Sequence, residues 1–387
     1  MKNKIKVYKR KNGEVGVRNY ILIISSVVCA NKAVSLIGNN QDNVISITHP
    51  NGCDQAGKDK ERTLRTLAGT ISNPNVVAAI IVGLGCETIS PKMIAEKVSN
   101  NSKPVYTLVI QDEGGISNTV KKGRGILKDL QKKVSNIERS LVSLKYITIG
   151  VECGGSDSFS GITANPAVGV ASDLIVNNNG TVILSETPEF IGAEHILRKR
   201  CINKKVANKL DMIVDRFEQK AFDIGADIRG TNPTPGNIEG GITTLEEKSL
   251  GCIYKGGNTQ VKEVIEYAET PSKQGLVIMD TPGNDVESMT GKAAGGAQIM
   301  VFTTGRGTPT ASAIAPTIKV ATNSLIYKRM NESMDINAGE IINGNKTIEA
   351  VGKEIFNLIL DTAEGRLTKG EILKQRDFAI NRIGPTF

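Results

Sequence analysis

Tryptophan is absent from this 387-residue chain, and aromatic residues make up only 4% of it. That scarcity argues against an aromatic sugar platform and against the base-stacking surface of a single-strand nucleic-acid binder. Histidine is almost as scarce, with His49 and His195 alone. No CxxC pair occurs, which disfavours structural zinc. A GxSxG elbow, a GxGxxG loop and a Walker lysine loop are all missing, so serine hydrolysis and nucleotide binding lack their usual warrant. No signal peptide is evident, and the apolar run Tyr20–Ala30 is too short to span a bilayer. The expectation is a cytoplasmic protein with no membrane and no nucleic-acid partner, whose cysteines are free thiols available for catalysis or metal binding.

What is present points to an enzyme. Lys and Arg number 48 against 40 Asp and Glu, a surplus of +8. The modest basic clusters at Lys2–Lys11, Lys121–Lys133 and Arg198–Lys205 read as solvated faces, and the overall surplus suits anionic substrates. The length suggests two domains. Short β-branched runs are expected as strands at Tyr20–Ser26, Asn43–Thr48, Val76–Val82, Val105–Ile110, Tyr146–Val151, Thr181–Leu184, Leu276–Met279, Gln298–Phe302 and Thr317–Val320. Helical periodicity covers Lys58–Thr70, Pro91–Asn100, Lys121–Val142, Ala164–Val176, Lys205–Phe222, Val261–Tyr267 and Gly352–Thr362. This alternation predicts an α/β protein of two domains, mainly parallel sheets flanked by helices, the second Rossmann-like. The boundary is placed in Ser135–Lys145, giving domains over residues 1–140 and 141–387. Arg229–Gly257, rich in Gly, Pro, Thr and Asn, breaks the pattern and is expected to be a long functional loop.

The richest chemistry lies in Gly150–Gly169, GVECGGSDSFSGITANPAVG. A strand there breaks into Glu152, Cys153, two glycines, Ser156 and Asp157, more chemistry than a capped turn requires. Cys29, Cys53, Cys86 and Cys153 each follow a predicted strand closely. Carboxyl ends of strands in α/β sheets are where ligands bind, so four such cysteines would converge on a sheet rim. Cys53, Cys86 and Cys153 could hold an iron–sulfur cluster with one open iron. His49, Glu87, Glu152 and Asp157 could instead hold a harder divalent ion. His195 reads as structural, leaving His49 as the candidate base. Thr303–Thr308, with Arg306, and Asp280–Asp285, with Asn284, look like anion-binding turns, and Arg18 precedes the first predicted strand.

Several stretches together resemble the altronate dehydratase and galactarate dehydratase family. They are GEVGVRNYILI at Gly13–Ile23, THPNGCDQ at Thr48–Gln55, the VGLGCE-containing segment Ile81–Glu87 and Gly150–Gly169. Further along come SETPEFIGAEHIL at Ser185–Leu197, the Asn232–Cys252 segment ending TTLEEKSLGC, and FTTGRGTP at Phe302–Pro309. The resemblance implies a hydro-lyase that converts a sugar acid to a 2-keto-3-deoxy acid with iron or another divalent metal, Fe2+ first and Mn2+ or Mg2+ as alternatives; the iron–sulfur cluster is the alternative that the thiols themselves suggest. It also implies a dimerising first domain, a variant Rossmann-like second domain and a small β-clip module. Since the chain starts at the matching region, that module is expected as a separate subunit, as in the related sulfolactate sulfo-lyase; the expected assembly is a homodimer. From chemical type and position, Cys53, Cys86, Glu152 and Cys153 are the expected metal ligands, with His49 and Glu87 catalytic. Arg18, Ser156, Asp157, Lys248, Lys255, Asn284, Arg306 and Thr308 are expected to bind substrate.

Overall fold

The computed structural model describes residues 4–38, 41–98 and 103–387. Its strands are β1 (Lys4–Lys9), β2 (Val15–Gly16), β3 (Tyr20–Ser25), β4 (Val44–Ile47), β5 (Val76–Gly83), β6 (Val105–Val109) and β7 (Ser140–Ser143). They continue with β8 (Thr148–Cys153), β9 (Thr181–Leu184), β10 (Val261–Ile265), β11 (Gly275–Met279), β12 (Ile299–Thr304), β13 (Thr317–Ala321) and β14 (Ile336–Asn337). Two parallel sheets carry the molecule, in the orders β4-β3-β5-β6 and β10-β11-β9-β8-β12-β13-β14. A small antiparallel sheet, β2-β1-β7, joins the start of the chain to the stretch between them. Helices cover both faces of the parallel sheets, which is why β5, VVAAIIVG, is buried at every position rather than alternately. The protein is an α/β protein of two domains. Among the described residues no helix is long and apolar enough to cross a membrane.

All nine strand expectations correspond to strands. The helix expected over Val261–Tyr267 is instead β10, whose VKEVI lies in parallel register beside β11. Its residues suit either period, and the open edge of the larger sheet decides in favour of a strand. The helix expected over Lys121–Val142 runs from Ile116 to Val134, and β7 takes up the remainder. The helix begun by Pro91 extends to Lys97, and its expected end at Asn100 lies outside the described residues, as does Lys2. Arg229–Gly257 is no open loop. It holds the short helices Ile228–Thr231, Pro235–Glu239 and Leu245–Cys252. The last is capped by Thr244, whose hydroxyl accepts from the Glu247 N–H at 3.1 Å, and Glu246 and Glu247 in its first turn complement the helix dipole.

Two features of this frame position the site. In the larger sheet the order reverses beside β8: the chain moves outward to β9, then returns to place β12 on the other flank. Open parallel sheets bind ligands in the crevice at such a switch point. The second feature is the crossing of the helix Gly57–Ser72 over the helix Asp285–Ala294, which fastens the two domains. Gly69 lies at the contact, where a Cβ would fall 2.4 Å from the Ala294 carbonyl oxygen. Gly69→Ala should therefore push the helices apart and lower stability by about 1–3 kcal/mol, despite the better helix propensity of alanine. A reduced midpoint in urea unfolding is the expected reading; an unchanged or raised midpoint would mean that the crossing yields freely.

Candidate active site

Each strand end around the reversal delivers charged or nucleophilic side chains. β8 ends in Glu152 and Cys153, and β9 leads through Ser185 into Glu186 and Glu189. β11 leads through Asp280 and Thr281 into the helix Asp285–Ala294, which carries Ser288 and Lys292 one turn apart. The helix Leu245–Cys252 adds Lys248 and Cys252, and the turn after it adds Lys255. Glu152, Glu186, Lys255 and Lys292 are fully buried. Glu186 adopts φ +73°, a left-handed conformation rare outside glycine, with its N–H donated to the Thr281 hydroxyl at 2.8 Å. Backbone held in such a region aims a side chain that an ordinary strand end would not.

The side chains form two linked groups. Lys255 Nζ donates to Glu186 Oε2 at 2.6 Å, Cys153 Sγ at 2.7 Å and Cys252 Sγ at 2.9 Å. Both thiols converge on Glu189 Oε2, at 3.0 Å from Cys153 and 2.8 Å from Cys252. Lys248 Nζ pairs with the other oxygen, Glu189 Oε1, at 2.8 Å. In the second group Lys292 pairs with Glu152 Oε2 and donates to the Val151 carbonyl and Ser185 hydroxyl, each at 2.7 Å. The Ser288 hydroxyl donates to the same Glu152 oxygen at 2.8 Å.

Burial dominates the electrostatics. It raises the Glu186 carboxyl well above its ordinary value, with the Glu152 and Glu189 charges adding to the effect. Glu152 is raised by burial too, against the pull of Lys292. Burial also pushes Glu189 up, but Lys248, Lys255 and the two thiols outweigh it and hold this carboxyl at about 2. Lys255 is the converse: burial would lower its pKa, yet Cys153, Cys252 and Glu186 raise it well above normal, so it is a permanent cation. Burial and the neighbouring Glu189 push the Asp285 carboxyl up to about 6.

Two donor sets have ligand atoms all within 4.8 Å of one another, Cys153–Glu186–Glu189–Cys252 and Glu152–Glu186–Asp285. In the first, the Lys255 ammonium already bonds three of the four side chains. In the second, Glu152 Oε1 is buried with no hydrogen-bond partner. An orphaned carboxylate oxygen beside two further carboxyls, both raised, fits a hard divalent ion such as Mg2+, Mn2+ or Fe2+. A cavity of about 210 Å³ lined by Cys153, Ser156, Asp157, Lys248 and Cys252 opens beside the cluster. Asp157 also borders a larger cavity of about 780 Å³, lined further by Arg306, Asn323 and Arg329.

The structure thus unites Glu152, Cys153, Lys248 and Lys255, and separates other residues expected to join them. Cys53, Cys86 and Glu87 stand at the carboxyl ends of the smaller sheet, so the ligand set Cys53–Cys86–Glu152–Cys153 is split between two sites. Glu87 is tied down locally, accepting from the Ser26 hydroxyl at 2.8 Å and the Gly85 N–H at 2.6 Å. His49 is not positioned as a base. It is buried, its Nε2–H donates to the Ser25 carbonyl at 2.7 Å, and its Nδ1 accepts from the Asn51 N–H at 3.2 Å. Arg18 does not reach the rim: it pairs with Glu371 at 2.6 Å and donates to the Val17, Thr362 and Arg366 carbonyls. Asn284 caps the helix that bears Asp285 and Lys292. The Asp157 carboxylate is taken up by Ser160, Thr322 and Asn323, and the Ser156 carbonyl accepts from Asn237. Arg306 pairs with Glu239 at 2.7 Å at the mouth of the larger cavity. Thr308 lies beyond it, its hydroxyl accepting from the Thr310 N–H at 3.2 Å. Glu186, Glu189, Cys252, Asp285 and Lys292 were not among the expected ligands. The signals for the first three were SETPEF directly after a strand and the SLGC that ends the Asn232–Cys252 segment; Asp285 closes the Asp280–Asp285 turn, and no motif marked Lys292.

Two expectations follow from these environments. Lys292→Met strands the buried Glu152 carboxylate, and a loss of about 3–5 kcal/mol is expected in urea unfolding. Adding Glu152→Gln should recover part of it; if the single variant unfolds like the parent, the pair carries no such weight. For His49, burial lowers the folded pKa to about 4, below the unfolded value near 6.5. The unfolded chain therefore takes the proton first, and stability falls as the pH drops from about 6.5, by about 3 kcal/mol below about pH 4. His49→Gln should flatten that part of the pH–stability curve relative to the parent, and superimposable curves would refute the assignment.

Comparison with known proteins agrees with this architecture. Residues 144–386 match the C-terminal region of D-galactarate/altronate dehydratases, and residues 7–135 match the second domain of D-galactarate dehydratase/altronate hydrolase. The altronate dehydratase of Bacillus subtilis (strain 168) is 36% identical, over 98% of this chain and 78% of its own length. That of Escherichia coli (strain K12) is 35% identical, over 99% and 78% respectively. The (2R)-sulfolactate sulfo-lyase subunit beta of Chromohalobacter salexigens is 33% identical, over 97% of this chain and 96% of its own. With both regions matched in order, the chain belongs to the D-galactarate/altronate dehydratase family of hydro-lyases.

Proposed function

We propose that this protein dehydrates a sugar acid of the altronate or galactarate type to a 2-keto-3-deoxy acid, aided by a divalent metal, Fe2+ first and Mn2+ or Mg2+ as alternatives. The observation that carries the metal is the orphaned Glu152 Oε1 beside Glu186 and Asp285; these three residues would hold the ion. When bound, the ion would supply Lewis-acid polarisation of the substrate carboxylate. Removing the proton α to a carboxylate builds up a second negative charge, and the chain's own contribution is to be cationic where that charge grows. Lys248 borders the smaller cavity and is held charged by Glu189, so it can bind and orient the substrate carboxylate. Lys255 stands behind it as a buried ammonium whose charge offsets the developing one in a water-poor setting. Arg306, at the entrance of the larger cavity, is positioned for the far end of an extended acid. A homodimer, with a separate small β-clip subunit, completes this reading.

A second reading has one observation in its favour, the match over 96% of the length of the sulfo-lyase β subunit. On that reading the same cationic pocket expels sulfite from a three-carbon acid. The deciding assay uses protein purified without oxygen, with altronate, galactarate and (2R)-sulfolactate offered in turn, and products followed by proton NMR and sulfite detection. The expected outcome is keto-acid formation that chelator treatment abolishes and a divalent ion restores. Glu152→Gln and Lys255→Met should each lower turnover by at least about 100-fold, with circular dichroism confirming the fold. Full turnover after chelation would overturn the metal assignment, and sulfite release from sulfolactate without keto acid from either sugar acid would replace the leading reading by the second.

A further inference from the structure

Three cysteines that the catalytic cluster does not use stand together in the other domain. Cys29, Cys53 and Cys86 follow the carboxyl ends of β3, β4 and β5, which are neighbours in the order β4-β3-β5-β6. From β3 the chain moves out to β4, then crosses back to place β5 and β6 on the opposite flank. The smaller sheet thus has its own switch point, between β3 and β5, and Cys29 and Cys86 sit on its two sides.

The three loops are locked to one another. The Val28 N–H donates to the Asn51 carbonyl at 3.1 Å, and the Asp54 N–H donates to the Thr88 hydroxyl at 3.1 Å. The Ile89 N–H donates to the Gly52 carbonyl at 3.3 Å, and the Ser26 hydroxyl reaches Glu87 at 2.8 Å. Gly52 has φ +104°, and a Cβ there would lie 2.0 Å from the Ser26 carbonyl oxygen, so the first two loops can approach this closely only with glycine at that position. Cys53 Sγ points at Asp54 Oδ2, 3.4 Å away, and these loop-to-loop bonds bring the Cys29, Cys53 and Cys86 segments onto one rim.

Free cysteines that serve packing are buried. Here Cys29 and Cys86 are exposed and Cys53 is half-buried, so packing does not account for three thiols on one rim. Thiolates favour soft metal centres over hard, oxygen-binding ions. Two thiolates on one tetrahedral ion, with metal–sulfur bonds of about 2.3 Å, lie roughly 3.8 Å apart. The described donor sets within 4.8 Å of one another do not include this trio. A cluster distributes its thiolates over separate irons and so tolerates the wider spacing.

We propose that Cys29, Cys53 and Cys86 hold an iron–sulfur cluster of the [4Fe–4S] type through three thiolates, with the fourth iron free of protein thiolate and facing the crevice between β3 and β5. The inference does not depend on the function proposed above, whose metal rests on carboxylates of the second domain.

The test is the visible spectrum, iron and acid-labile sulfide of the full chain purified without oxygen. A broad visible absorption band with roughly four irons and four sulfides per chain is expected. The band should be lost in Cys29→Ser, Cys53→Ser and Cys86→Ser and kept in Cys201→Ser and Glu152→Gln. Because a serine variant can misfold, the parent protein is also alkylated and mapped by mass spectrometry. Cys29, Cys53 and Cys86 should be protected as purified and should react after the cluster is bleached by oxidant. Absence of sulfide, a band that survives the Cys53 and Cys86 substitutions, or thiols equally reactive before and after bleaching would each overturn the proposal. Loss of turnover in Glu152→Gln with the band intact would separate this site from the catalytic one.

Discussion

The structure around the larger sheet depends on one constraint, that charge removed from water must be balanced within hydrogen-bond reach. Four carboxylates, from Glu152, Glu186, Glu189 and Asp285, meet at the ends of β8, β9 and β11. Unpaired, they would repel one another and suffer the full desolvation penalty. Lys248, Lys255 and Lys292 answer them, each from a different local element: a capped helix, the turn that follows it, and the helix after β11. Strand ends, helix caps and the left-handed backbone at Glu186 all serve this balance.

The balance also makes the residues unequal. Glu189 lies between two ammoniums and two thiols and stays ionised, whereas Glu186, one short turn earlier, shares a single ammonium with the thiols and faces two like charges. Identical side chains three residues apart thus take opposite protonation tendencies from their surroundings, the kind of separation on which acid–base and metal chemistry draws. In Glu152, one oxygen satisfies Lys292 and Ser288 and the other is left without a partner. A group half-committed to the fold and half-free is what a ligand site looks like before its ligand is considered.

Much of the fold was legible from period and composition. The β-branched runs marked nine strands because buried parallel strands require continuous apolar stretches, and Gly150–Gly169 marked the right strand end. The misreadings share a physical cause: they concern tertiary contacts that no local pattern encodes. VKEVI suits a helix or a strand until an open sheet edge claims it. His49 has the chemistry of a base until two backbone groups consume both ring nitrogens. The cysteines at strand ends all looked alike, and only the topology of two separate sheets assigns Cys153 to one rim and Cys29, Cys53 and Cys86 to the other. Glu186 and Glu189 lay in a quoted motif, but their importance comes from facing Lys255, which arrives from a segment that had read as loop.

The helix Asp285–Ala294 begins with a carboxylate of the proposed metal site, carries Ser288 and Lys292 on its inner face, and ends against Gly69 of the other domain. It therefore spans from the domain seam to the buried carboxylate cluster. Asp285 and Lys292 share one short rigid element with the residue that packs on Gly69. A substitution at the seam such as one at Gly69 thus bears on the same helix that presents Asp285 and Lys292 to Glu152.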